Sequence, residues 1–172
     1  MNYKNPMQNL RIEKVVVNIG VGESGEKLGK AENLLRQLTN RKPVRTISRH
    51  KIPGWGLKKG EPIGCKVTLR GKDAEEILKK GLSAKDNRLR LSNFESRNIS
   101  FGIQEYIDIP GMKYDPEIGI FGMNITTTLE RPGYRISRRR IRRTKIPRKI
   151  AITRQEAVQF MKEKFNVELV GD

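Results

Sequence analysis

In RPGYRISRRRIRRTKIPRK, residues 131–149, ten of nineteen positions are Arg or Lys and none is acidic. The chemistry this run offers is neutralisation of phosphates, because each cation that meets a phosphodiester releases a condensed counterion and so drives association. Free in water, the same charges repel one another and favour an extended, disordered segment. The run therefore calls for anions, and phosphates brought from outside the chain would supply them. RKPVRTISRHKIPGWGLKKG, residues 41–60, adds seven more Arg and Lys, again without an acid. The chain as a whole carries 36 basic and 19 acidic residues, a formal charge of +17. Outside these two segments, 19 basic and 19 acidic side chains remain among 133 residues. A general bias toward surface lysine would have spread the excess. Two concentrated patches on a body that is neutral by count instead point to a polyanionic partner.

Other residue patterns that could do chemistry are weaker. GVGESG at 20–25 satisfies G-x-G-x-x-G between a strand pattern and a helix pattern, but the acid that would hold a ribose about 20 residues later is missing. Nothing acidic lies between Glu32 and Glu61, and Glu23 would oppose a pyrophosphate. Tight-turn glycines joining strand to helix explain the motif better. His50 sits between Arg49 and Lys51, and no serine or cysteine has an evident partner, so no catalytic residue is assigned. One cysteine, Cys65, and one histidine give neither a disulfide nor a zinc set, and no metal or cofactor is expected. The longest purely aliphatic run is Val15-Val16-Val17, too short for a transmembrane or signal segment, so no membrane partner is expected.

Within the first basic segment, HKIPGWGLKKGEP reads as a loop punctuated by Gly and Pro between two strand patterns. Two arrangements are open for it. Trp55 projects with Lys51, Lys58 and Lys59 to stack on a base or sugar, or it folds back as a hydrophobic plug. The second segment has isoleucines at 136, 141 and 146, a spacing that suits neither a strand nor one helical face. It reads as an arm laid over RNA, with a basic surface helix as the competing picture.

The elements that must position these segments follow from periodicity. RIEKVVVNIG (11–20), KPVRTISR, EPIGCKVTLRG, ISFGIQEYIDIP, GMNITTTLE and FNVELV read as strands. In 24–40, Ala31, Leu34, Leu35 and Leu38 follow helical spacing, KDAEEILKKGL reads as a helix capped by Asp73, and Thr153 with Glu156 opens a third as a capping box. Strands outnumber helices without regular alternation, which implies an α+β fold: an antiparallel sheet with helices packed on one face. Residues 1–172 are taken as a single RNA-binding domain with a projecting loop (about 50–60) and a basic extension (about 131–149). The uncovered sheet face should carry Lys14, Asn18, Lys66, Thr68, Arg70, Asn124, Thr126 and Thr128, whose amides, hydroxyls and cations can bond phosphates, ribose 2′-hydroxyls and base edges. Taken alone, the Thr126–Thr128 run is equally an ordinary solvated strand face.

Several of these blocks, RIEKVVVNIGVGES, KPVRT, EPIGCKVTLRG, SFGIQEYIDIP, YDPEIGIFGMNIT and RPGYR, closely resemble the large-subunit ribosomal protein family numbered five. RPGYR and the basic run after it resemble the archaeal and eukaryotic branch, and the helical extension of bacterial members has no counterpart before Arg11. The resemblance implies a cytoplasmic, ribosome-bound protein without enzymatic activity. Its partners would be 5S rRNA, large-subunit rRNA, P-site tRNA, and neighbouring ribosomal proteins of the central protuberance and the small-subunit head. The family's RNA-contacting lysine, asparagine and threonine fall on Lys14, Asn18 and Thr68, and its contacting glutamine is replaced by Arg41, a residue suited to phosphate or guanine. The rRNA-binding set is thus Lys14, Asn18, Arg41, Thr46, Lys66, Thr68 and Arg70, with Arg135, Arg138, Arg139, Arg140, Arg142 and Arg143 of the extension. Lys51, Trp55, Lys58 and Lys59 form the tRNA loop. Two other classes remain open: a general cationic binder of nucleic acid or membrane surfaces, and a nucleotide-dependent enzyme built on GVGESG.

Overall fold

The valine run lies in the middle of the first strand, β1 (Arg11–Gly20), where Glu13, Val15, Val17 and Ile19 are buried and Lys14, Val16 and Asn18 are half-buried. β-branched residues suit this position, packing against neighbours on a pleated surface. The computed structural model describes residues 5–171. In it β1 is the centre of a five-stranded antiparallel sheet. β3 (Pro62–Leu69) pairs with one side of β1 and β6 (Met123–Glu130) with the other, while β2 (Val44–Ile47) and β5 (Asn98–Ile103) form the edges. The architecture is α+β, in agreement with the expectation from element order.

Two helices cover one face. α1 (Glu26–Thr39) buries Leu28, Ala31, Leu34, Leu35 and Leu38, and α2 (Lys72–Ser83) buries Ala74, Ile77, Leu78 and Leu82. Both stripes meet Val15, Val17, Ile19, Cys65, Val67 and Ile125 of the sheet in one core. Each fully buried Leu or Ile contributes about 1.5–3 kcal/mol relative to exposure, so this face is committed to packing. α3 (Arg154–Phe165) adds Ala157, Met161 and Phe165 to the same core. It starts on the expected capping box: Thr153 Oγ1 accepts from the Glu156 amide at 3.3 Å, and Glu156 Oε2 accepts from the Thr153 amide at 2.9 Å. Burial also pushes the Cys65 thiol up to about 11, which makes it an inert core residue.

Two expectations give way, and a third is met away from the main sheet. Asp73 does not cap α2; the cap position is Gly71, without a side-chain bond. The Asp73 carboxylate is instead taken by Arg41, whose Nη2 donates to Oδ2 at 2.6 Å, because a charged donor is a stronger partner than a neutral amide. The strand read through ISFGIQEYIDIP stops at Ile103; Tyr106–Asp108 is a 3-10 turn, with Tyr106 fully buried and its hydroxyl accepting from the Asp115 amide at 3.0 Å. The closing strand forms outside the main sheet: β7 (Glu168–Val170) pairs in parallel with β4 (Arg88–Arg90), a strand too short for alternation to announce.

Gly64 marks how tightly β1, β2 and β3 are assembled. A Cβ at this position would lie 2.7 Å from the Ile19 carbonyl oxygen and 2.9 Å from Thr46 Oγ1. Gly64→Ala should therefore destabilise the chain by roughly 1–3 kcal/mol, as overpacking does. Thermal unfolding checks this, and a melting temperature equal to that of the wild type would show that the strands part easily.

Candidate nucleic-acid interface

On the face away from α1 and α2, strand register lines up side chains from different parts of the chain. Val44, Lys66, Asn18, Asn124 and Gly102 are successive neighbours across β2, β3, β1, β6 and β5. Thr68, Val16, Thr126 and Ser100 form the adjacent row. At the usual inter-strand spacing, the first row spans about 19 Å. Lys66, Thr68, Asn124 and Ser100 are exposed, and Asn18 and Thr126 are half-buried. Because alternate residues of the same strands are locked in the core, a one-residue slip would bury the polar set, and register therefore specifies this surface. One expected member drops out. Thr128 is 7% exposed, and its hydroxyl donates to Asn98 Oδ1 at 3.2 Å.

Between β2 and β3 the same face sinks into a groove of about 450 Å³ bordered by Arg41, Lys42, Lys66, Thr68 and Arg70. Arg41 sits at its rim, held by Asp73, and half-buried Thr46 occupies the next row, paired with Gly64. Arg45 belongs to the helix side, where it binds the Glu32 carboxylate of α1 and holds that group below the usual carboxylate range. At the GVGESG turn, Glu23 pairs with Lys27 at 2.5 Å and Glu26 with Lys30 at 3.0 Å, so the α1 N-terminus is flanked by acids and does not resemble a phosphate cradle.

The loop at 50–60 is a small folded unit. Ile52 and Leu57 form an isolated bridge around a 3-10 turn at Pro53–Trp55, closed by Gly56 at φ 67°. At its base the Glu61 carboxylate accepts the Lys58 amide at 2.9 Å and Ser24 Oγ at 2.7 Å, and these bonds, the Lys58 amide foremost, hold Glu61 below the usual range. The two arrangements for Trp55 are now resolved. Leu57, at 4% exposure, is the plug, while Trp55 projects at 75%. Lys51, Lys58 and Lys59 are exposed around it.

The basic extension differs from both pictures drawn from its sequence. It is neither a helix nor an open arm but a loop closed at its root. Tyr134 Oη donates to the Ile150 carbonyl at 2.6 Å, and Arg131, 8% exposed, donates to the same carbonyl at 3.3 Å and to Glu156. Burial pushes the Tyr134 phenol up. Arg138 grips two acids, Glu13 through Nη1 and Glu130 through Nη2. Part of the charge is therefore answered from within the chain, which corrects the expectation that all of it waits for outside phosphate. Local pattern carries no trace of this pairing because Glu13 lies 125 positions from Arg138. It sits where the β1/β6 register shifts, between Ile12 and Lys14, and in phase with buried Val15, Val17 and Ile19 its side chain is 3% exposed. Beyond this root, Arg135, Arg139, Arg140, Arg142 and Arg143 are exposed, with Arg139 Nε donating to the Arg142 carbonyl at 2.8 Å and Ile141 75% exposed between them.

The loop geometry generates a paired expectation. Trp55→Ala should leave stability within about 0.5 kcal/mol of wild type, as for an exposed side chain, whereas Leu57→Ala should cost about 2 kcal/mol. Thermal unfolding of both variants measures it; a large loss for Trp55→Ala would contradict the projecting placement.

Comparison with known proteins gives a consistent picture. The family model described as ribosomal protein L5 matches residues 5–58, and the one for the C-terminal part of the same ribosomal family matches residues 62–160. A large ribosomal subunit protein uL5 of Sulfurisphaera tokodaii is 55% identical over 168 residues, covering 96% of this chain and 95% of the relative. Proteins of the same name from Methanosphaera stadtmanae and Nanoarchaeum equitans are 51% and 50% identical, over 96% and 97% of this chain and 99% of each relative. With near-complete coverage at this identity, and a sheet whose fold and blocks agree, the chain belongs to the L5 family of large-subunit ribosomal proteins.

Proposed function

We propose that this chain is a structural RNA-binding component of the large ribosomal subunit, ribosome-bound in the cytoplasm. In this reading it holds 5S rRNA in the central protuberance against large-subunit rRNA and reaches P-site tRNA and the small-subunit head through loop 50–60. The observation that carries the reading is the pair of polar rows across an uncovered sheet face, with amides, hydroxyls and cations at fixed spacing. Recognition of that kind suits an RNA loop whose bases and 2′-hydroxyls are splayed out. The exposed arginines of the closed loop supply phosphate neutralisation beside it, and Trp55 offers a stacking face at the end of a basic loop. The role is positional, with no chemical step and no cofactor.

Family membership supports the ribosomal setting, and the sheet face supports RNA specificity over general attraction to polyanions. Competition at fixed salt separates the two: 5S rRNA should resist a large excess of unrelated RNA, and equal displacement would leave only a general cationic binder. Asn18→Ala or Thr68→Ala should each weaken 5S rRNA binding by roughly 1–3 kcal/mol, the cost of leaving a buried polar partner unsatisfied. Unchanged affinity in both would reject the sheet-face assignment. Replacing Arg139, Arg140, Arg142 and Arg143 with Gln should make the salt dependence shallower by roughly 0.7–0.9 per lost phosphate contact. A slope identical to that of the wild type would mean these arginines do not meet phosphate.

A further inference from the structure

Glu13 has more cation around it than a structural ion pair needs. Its carboxylate, 3% exposed, is approached by Arg70, Arg97 and Arg138, from the end of β3, the entry to β5 and the basic loop. Glu130 adds a second acid shared between Arg11 and Arg138. Four guanidinium groups therefore stand around two carboxylates, a local surplus of positive charge where the basic loop meets the sheet. Arg97 is held on three sides, donating also to the Leu129 carbonyl at 3.3 Å and lying 5.7 Å from the Tyr134 ring centroid, with its side chain 34% exposed. Arg70 and Arg138 stand further out. Among the described residues Arg70 is engaged through Nη1 alone, to the Glu13 carbonyl at 3.2 Å and to Oε1 at 3.9 Å, and its side chain is 58% exposed. Arg138 is engaged through its two Nη atoms and is 44% exposed. Both approach the same oxygen, Glu13 Oε1, which brings the two forks within the span of one phosphate.

Like charges so placed would separate without the carboxylate between them. We propose that Arg70 and Arg138 form a preorganised phosphodiester-binding node at the end of β3 where the basic loop meets the sheet, with Glu13 as its positioning residue. A single backbone phosphate bound there joins the sheet to the basic loop, so that the two surfaces engage RNA in a fixed relative orientation. Bidentate guanidinium–phosphate contact is the chemistry involved. The inference rests on the RNA-binding reading above and adds a residue that charge counting would assign the opposite effect.

The test compares two substitutions that each remove one negative charge from the full chain. Glu117→Gln, at an exposed site away from the node, should leave 5S rRNA affinity unchanged or slightly tighter. Glu13→Gln should weaken it roughly tenfold despite the higher net charge, on the scale of one lost charged hydrogen bond. Affinity of Glu13→Gln equal to or tighter than that of Glu117→Gln would overturn the node. Should Glu13→Gln fail to fold, Arg70→Lys keeps the charge but removes the fork at an exposed side chain. It should weaken binding several-fold, and wild-type affinity would overturn the node equally. Should the wild-type chain not bind 5S rRNA, the functional reading fails, and inorganic phosphate titrated against the arginine Nε–H resonances decides the node separately. Shifts at Arg70 and Arg138 but not at Arg88 are expected, and their absence rejects it.

Discussion

A carboxylate buried in an irregularity of the central strand governs how the rest of the molecule is arranged. Glu13 ties together residues that lie 57, 84 and 125 positions away in sequence. Burying such a group is costly unless it is paired and bonded, and breaking a buried pair by removing one partner typically costs about 3–5 kcal/mol. What the network contributes is specificity more than stability. It closes a densely basic loop on the end of the sheet, where that loop would otherwise be an extended, self-repelling segment. Glu156 does the same at the other end of the loop by holding Arg131. Acids thus neutralise the root and leave the tip cationic.

The sheet supplies the complementary half of the design. One face is committed to aliphatic packing under α1 and α2, which fixes register, and register in turn fixes the polar rows opposite. In the proposed role this makes recognition rigid at the sheet and graded at the loops: hydrogen-bonding groups at set spacing beside exposed cations whose contribution falls with salt. Loop 50–60 follows the same logic on a smaller scale, with Leu57 buried so that Trp55 can stand free.

Much of this was legible in the chain. Alternation in EPIGCKVTLRG put Ile63, Cys65, Val67 and Leu69 on one side and Lys66, Thr68 and Arg70 on the other, and three of the four apolar members are fully buried. Helical spacing located α1, and the Thr153–Glu156 pair located the start of α3. The failures share a cause: local pattern is silent about long-range charged partners. Asp73 has the right spacing for a cap, but Arg41, 32 positions earlier, competes for it. Thr128 alternates with the open face, yet ends buried against Asn98. The basic loop reads as unpaired because its acids, Glu13 and Glu130, belong to strands. Glu13 shares the alternation of Val15, Val17 and Ile19, which puts it on the inner side of β1, but nothing near it in sequence shows which arginines meet it there.

Lysine footprinting of the full chain with and without 5S rRNA tests the central claim most directly, since acylation rates report which face the RNA covers. Lys66, exposed on the open sheet face, should lose reactivity when RNA is bound, while Lys79 and Lys80, exposed on α2 behind the sheet, should keep it. Protection of Lys79 and Lys80 with Lys66 left reactive would place the RNA on the helical side and contradict the account.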